Sequence, residues 1–130
     1  MRLYMQDQHT NFDHLFRIAT SCFDKSDKEI EILYKEYPIC KIEYINNDMN
    51  EHVVEIRFDK YDATITYYLS EEYTCIGSYL FFDNEPDEGL FIHYLALKLR
   101  DNNLSDNWML WISRLKIKQA KDCLCFQFFK

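Results

Sequence analysis

Six carboxylates, on Glu71, Glu72, Asp83, Glu85, Asp87 and Glu88, fall within one short stretch of this chain. On a folded surface such a group attracts cations and steers a basic protein toward itself. From Tyr61 to Leu97 there is no Lys or Arg, whereas seven acids and nine aromatic residues are present. Solvated surfaces normally mix both signs. Helix capping and solubility account well for Asp87 and Glu88, but they leave the missing cations unexplained. Tyr73 and Tyr79 sit where they can supply aromatic anchors beside the charge. The competing expectation is that half of Tyr67, Tyr68, Tyr73 and Tyr79 pack in the core.

Other residue types with chemical capacity point to structure. Cys123 and Cys125 are separated by one residue, whereas zinc sites more often use two and need a second ligand pair. His93 is the only distant helper available, so alternating cysteines on a buried strand are the better reading and no cofactor or metal is expected. His9, His14, His52 and His93 show no metalloprotease, Cys-His or Ser-His spacing; His93 reads as half-buried and His52 as exposed at a strand start. With two glycines and two prolines in the chain, neither a phosphate-binding glycine loop nor a nucleophile elbow can be built. Arg114, Lys116 and Lys118 lie near Trp108 and Trp111, but they read as the solvated side of a helix whose Trp residues face the core.

Charge and composition narrow the classes further. The net charge is −7 over 130 residues. Residues 1–60 carry a balance of −4, residues 61–97 one of −7 and residues 98–130 one of +4. Global acidity argues against a nucleic-acid partner, which needs clustered cations. At 48% apolar and 17% aromatic residues, the chain has ample material for one globular domain spanning 1–130. No apolar run reaches membrane-spanning length, and the polar start offers no secretory signal. Five cysteines, an odd number, then point to a reducing cytoplasm with thiols acting as small hydrophobes.

The elements that must position these residues follow from periodicity. Thr10 with Asp13 predicts a helix start, and Phe12, Leu15, Phe16, Ala19 and Phe23 share its apolar face. Ser26 and Glu29 form a capping-box pair that favours a short second helix ending before Pro38, although Ile30, Ile32 and Tyr34 also alternate as a strand would. Strands are predicted at Cys40–Tyr44, Val53–Phe58, Ala63–Leu69 and Tyr73–Phe82, joined by turns at Asn46–Asn50, Asp59–Asp62 and Ser70–Glu72. Pro86 with the acids around it opens a helix whose buried stripe is Phe91, Leu95 and Leu99. Ser105 is expected to cap a further helix with Trp108, Trp111, Ile112 and Leu115 on one face. Cys123–Phe129 reads as a last strand. The fold class is α+β, an antiparallel sheet of four or five strands with helices packed on one face.

The stretch from Tyr67 to Glu88, together with small size, acidity, aromatic strands and the lack of a signal or catalytic motif, resembles the immunity proteins of bacterial contact-dependent growth inhibition systems. The resemblance is one of overall character rather than of a motif. It implies a non-enzymatic inhibitor whose partner is a basic cognate toxin domain, a nuclease, neutralised by occlusion of its cleft. Glu71, Glu72, Asp83, Glu85, Asp87 and Glu88 would then supply charge, with Tyr73 and Tyr79 as anchors, and charge reversal at Glu85 and Asp87 would weaken binding. Two alternatives stay open: a phage inhibitor of a host defence protein, and a small-molecule-binding or enzymatic α+β domain. The oligomeric state is left open as well.

Overall fold

The computed structural model describes residues 2–45, 50–101, 109–115 and 123–129. Two helices come first, α1 at Arg2–Thr20 and α2 at Asp27–Leu33. The strands β1 (Ile39–Ile45), β2 (Asn50–Phe58), β3 (Ala63–Leu69) and β4 (Cys75–Phe82) follow, then α3 (Glu85–Asp101), β5 (Met109–Leu115) and β6 (Cys123–Phe129). The six strands form one sheet in the order β1-β2-β3-β4-β6-β5. Every neighbouring pair is antiparallel.

Alternation along the strands divides the sheet into two faces. Ala63, Ile65, Tyr67 and Leu69 of β3 are buried while the residues between them are half-buried. Val54, Ile56 and Phe58 of β2, Leu80 and Phe82 of β4, and Phe126 and Phe128 of β6 continue the buried side. The helices lie on this face. Phe12 of α1 meets Phe82 and Phe91 edge-on, and Phe91 of α3 meets Phe126. Tyr34, just after α2, stacks on Tyr67 and meets Phe58 edge-on. Each fully buried large apolar side chain contributes about 1.5–3 kcal/mol relative to exposure, so this layer is the main source of stability.

Polar groups in the layer serve the helix ends. The last carbonyls of a helix lack intrahelical partners. The Tyr67 hydroxyl donates to the Ile18 carbonyl at 2.8 Å and the Ser78 hydroxyl to that of Ala19 at 2.6 Å. Two sheet side chains thus satisfy the C-terminal turn of α1. The α2 capping box is complete: the Ser26 side chain accepts from the Glu29 N–H, and the Glu29 carboxylate accepts from the Ser26 N–H. At α3, Asn84 accepts the Asp87 N–H at 2.8 Å and donates to the Asp87 carboxylate at 2.9 Å. Gly77 is needed for a close approach, since a Cβ there would stand 3.1 Å from the Phe128 carbonyl oxygen across the β4–β6 pair.

The α+β class and the placement of helices on one face hold, with one strand more than expected. The extra strand is β5, the segment expected as a helix through Trp111, Ile112 and Leu115; Ser105 and Trp108 lie outside the described residues. A Trp-x-x-Trp-Ile-x-x-Leu spacing fits a helix, but β6 presents an unpaired edge, and seven residues of β5 pair with it from Met109↔Phe129 to Leu115↔Cys123. Helix α1 begins at Arg2, well before Thr10. The fourth strand starts at Cys75, with Tyr73 left in the turn at φ 61°. Leu99 is exposed rather than buried, His93 is exposed, and His52 is half-buried with its ring 4.5 Å from that of Tyr73. The turn residues Asn46–Met49 lie outside the described residues, as do Lys116 and Lys118.

Candidate interaction surface

The acidic group divides between the two ends of β4. Glu71 and Glu72 occupy the turn before it, and Asp83, Glu85, Asp87 and Glu88 follow its far end. Eight residues of extended strand separate the two groups by roughly 25 Å at about 3.3 Å per residue. They do not form one acidic patch.

Several of these carboxylates are already engaged. Asp83 accepts both guanidinium arms of Arg57, one at 2.6 Å, while the Arg57 Nε donates to Asp59 at 2.9 Å. The Arg57 guanidinium holds the Asp83 carboxyl below the usual carboxylate range. The cation missing from residues 61–97 is therefore supplied across the sheet by β2. Asp87 joins the N-terminal cap of α3 and also accepts from the Gln8 amide at 3.3 Å. Glu88 is buried, and its carboxylate accepts the Leu124 N–H at 2.8 Å, tying α3 to β6. Charge reversal at Asp87 would therefore disturb a helix start. Of the expected site residues, Glu71, Glu72, Tyr73, Asp83 and Glu85 are exposed, Tyr79 and Asp87 are half-buried and Glu88 is buried.

Tyr79 leads to a surface that sequence reasoning did not assemble. It points to the face of the sheet opposite the helices, where its ring lies edge-on to Tyr68 at 4.5 Å and tilted to Phe81. Cross-strand register carries this face outward. Tyr79 pairs with Gln127, which pairs with Trp111; Gly77 pairs with Phe129, which pairs with Met109. Trp111 is 62% exposed and Met109 57%. On the other face of the same strand Ile112 is exposed too. An edge strand with large apolar side chains open on both faces is an invitation to association, which natural sheets usually blunt with charge or proline. The signal available in the sequence was the alternation Met109-Trp111-Ser113 with β-favouring Trp and Ile. An equally good helical spacing competes with it.

A second polar cluster joins α1 to α3. Asp13 accepts from Lys98 at 3.1 Å and from the Tyr94 hydroxyl, with His9 at 3.5 Å. Burial pushes the Asp13 carboxyl up, but the bonds from Tyr94 and Lys98 and the charges of Lys98 and His9 outweigh it and hold the group below its ordinary value. So well-bound a carboxylate is a helix-to-helix tie, not a base awaiting a proton. Cys22, Cys75 and Cys125 are buried. Burial pushes the Cys75 and Cys125 thiols up to about 12, which leaves them poor nucleophiles. Among the described residues, no three His, Cys, Asp or Glu side chains converge as metal ligands, and no helix is long and apolar enough to cross a membrane.

No protein-family model, curated protein or solved structure matches this chain. The face opposite the described helices, around Trp111 and Tyr79 with the β5 edge beside it, is the candidate interaction surface.

Proposed function

We propose that this protein is a non-catalytic inhibitor of the immunity type, a cytosolic domain that binds a cognate toxin, a basic nuclease domain, and closes its cleft to nucleic acid. The observation that carries the reading is the exposed Trp111 beside Met109 on an edge strand of a sheet face that no described helix covers. Large rigid aromatics at such a position are the usual anchors of a tight protein interface. Tyr68 and Tyr79 extend the anchor row inward. The acids have a different role from the one their clustering in sequence implies. A net charge of −7 accelerates encounter with a basic partner over a distance of several residues. Glu71, Glu72 and Glu85, exposed at the two ends of β4, supply local steering, while contact falls to the aromatic face.

The test is capture of partners from the native host by tagged protein at low and moderate salt, with wild type and Trp111→Ala in parallel. The expected result is one basic protein retained in stoichiometric amount by wild type and lost by the variant. The lysine variants of Glu71 and Glu72 should slow association with little effect on dissociation. Equal retention by Trp111→Ala would remove this face from the interface. Absence of any stoichiometric partner at either salt would sink the inhibitor reading.

A further inference from the structure

Of the two edges of the sheet, one is guarded and the other is not. The β1 edge carries Lys41, whose ammonium is held by Asp27 at 3.2 Å and by Glu31 at 2.8 Å. A charge fixed on an edge strand is a usual barrier to further pairing. The β5 edge has no Lys, Pro or Gly, and Arg114 near its end is its one charged residue. Among the described residues β5 pairs with β6 alone, and all seven of its residues do so without a register shift. Met109 and Trp111 are open on one face and Ile112 on the other.

What an edge strand leaves open is specific. Every second residue turns its N–H and C=O away from the neighbouring strand. The extended backbone of another strand meets such a row in full, whereas a helix has already spent its backbone groups within itself. The fitting occupant of this edge is therefore a strand, and β5 has the sequence to pair with itself. Set antiparallel about Ile112, a second β5 matches it over its whole length. Trp111 then stands opposite the other copy's Ser113, a large ring beside a small side chain. Ile112 stands opposite its own counterpart. Arg114 stands opposite Leu110, so no like charges meet, and like charges directly opposite would oppose pairing.

We propose that two copies of this chain join through β5, antiparallel about a two-fold axis at Ile112, into one continuous sheet. The same strand serves both subunits, as an isologous contact requires. Pairing of this kind adds to the edge and leaves the faces of the sheet as they are. Both copies' Tyr79 and Trp111 then lie on one side of the joined sheet, so a dimer keeps the candidate interaction surface available.

Ile112 meets its own counterpart at the axis, so a charge swap there tests the pairing directly. Sedimentation equilibrium is run on wild type, Ile112→Lys, Ile112→Glu and an equimolar mixture of the two variants. Wild type is expected as a concentration-dependent dimer. Each variant alone should dimerise about tenfold more weakly or worse, because two like charges face each other across the strands. The mixture should recover association as a dimer of one Lys and one Glu copy. Hydrogen exchange on wild type needs no variant: alternate β5 amides should gain protection as concentration rises. A wild type that stays monomeric at every concentration overturns the proposal. So does a dimer insensitive to both variants, a mixture of folded variants that does not associate, or β5 exchange that ignores concentration. The inhibitor reading survives each of these outcomes, since Ile112 lies on the face opposite Trp111 and the test of that reading is retention of a toxin partner.

Discussion

Individual carboxylates in this protein have been given different tasks by their surroundings. Glu88 shows the strongest case: buried, with its oxygen 2.8 Å from the Leu124 N–H. Glu88→Ala would strand that backbone donor away from water, at a cost of about 1–3 kcal/mol. Glu88→Gln keeps an acceptor and should cost clearly less. Urea denaturation of both variants checks this; equal losses would mean that packing, not the hydrogen bond, is what Glu88 provides. Asp83 has a pH signature. Arg57 depresses its pKa in the folded state, so the folded carboxylate binds protons more weakly than the unfolded one. The resulting stabilisation is present above the unfolded value, about pH 4, and is lost as pH falls through the lower folded value. Asp13, also depressed, acts in the same direction. Both groups are partly exposed, so the effect of each is small. Asp83→Asn should make the loss of stability on acidification shallower than in wild type. Parallel pH profiles for the two proteins would show that the ion pair contributes nothing.

The elements divide into those set by local signals and those set by partners. Helix α2 has only seven residues, too few to persist alone. It is held by its capping box and by Ile30, which is fully buried. Ser26→Ala should therefore cost about 0.5–2 kcal/mol, measurable as a lower denaturation midpoint. No change would mean that burial of Ile30 alone holds the helix. Both cap residues were legible, as were the four strands of the β1–β4 meander, because alternation and turn residues are local properties. The start of α3 was legible for the same reason. Strand β5 was not. Its apolar residues satisfy helical and extended spacing alike, and only the β6 edge, reached across a connecting segment, selects the strand. Leu99 was misplaced because α3 is apolar on both sides, and periodicity cannot tell an inner stripe from an outer one when both are present.

At the level of the molecule, the two faces of the sheet differ. Its helix-covered face holds the core, and its opposite face holds Tyr68, Tyr79 and Trp111. If the latter is an interface, its residues should be dispensable for folding. Trp111→Ala removes a side chain that is 62% exposed. It should change unfolding free energy by no more than about 0.5 kcal/mol while abolishing partner retention. A loss of several times that amount would make Trp111 structural and weaken the functional reading. The acidic cluster, the most conspicuous feature of the sequence, offers fewer free carboxylates than its density implies. Asp83, Asp87 and Glu88 are engaged within the fold, and the rest are split between the ends of one strand.

The sequence by itself determined what nearest neighbours decide: the α+β class, the α2 cap, the acidic N-terminus of α3 and the period of the β1–β4 strands. Each depends on interactions spanning a few residues, so residue order is enough to read them. Only the tertiary structure decided what distant pairing controls. Arg57 reaches Asp83 across 26 residues, Glu88 reaches Leu124 across 36, and β6 inserts between β4 and β5. Those contacts assign each carboxylate to the interior or the surface and bring Trp111 level with Tyr79 on one face. Residue order alone does not carry that information, because the energy of a long-range pair depends on where the rest of the chain has placed its partner.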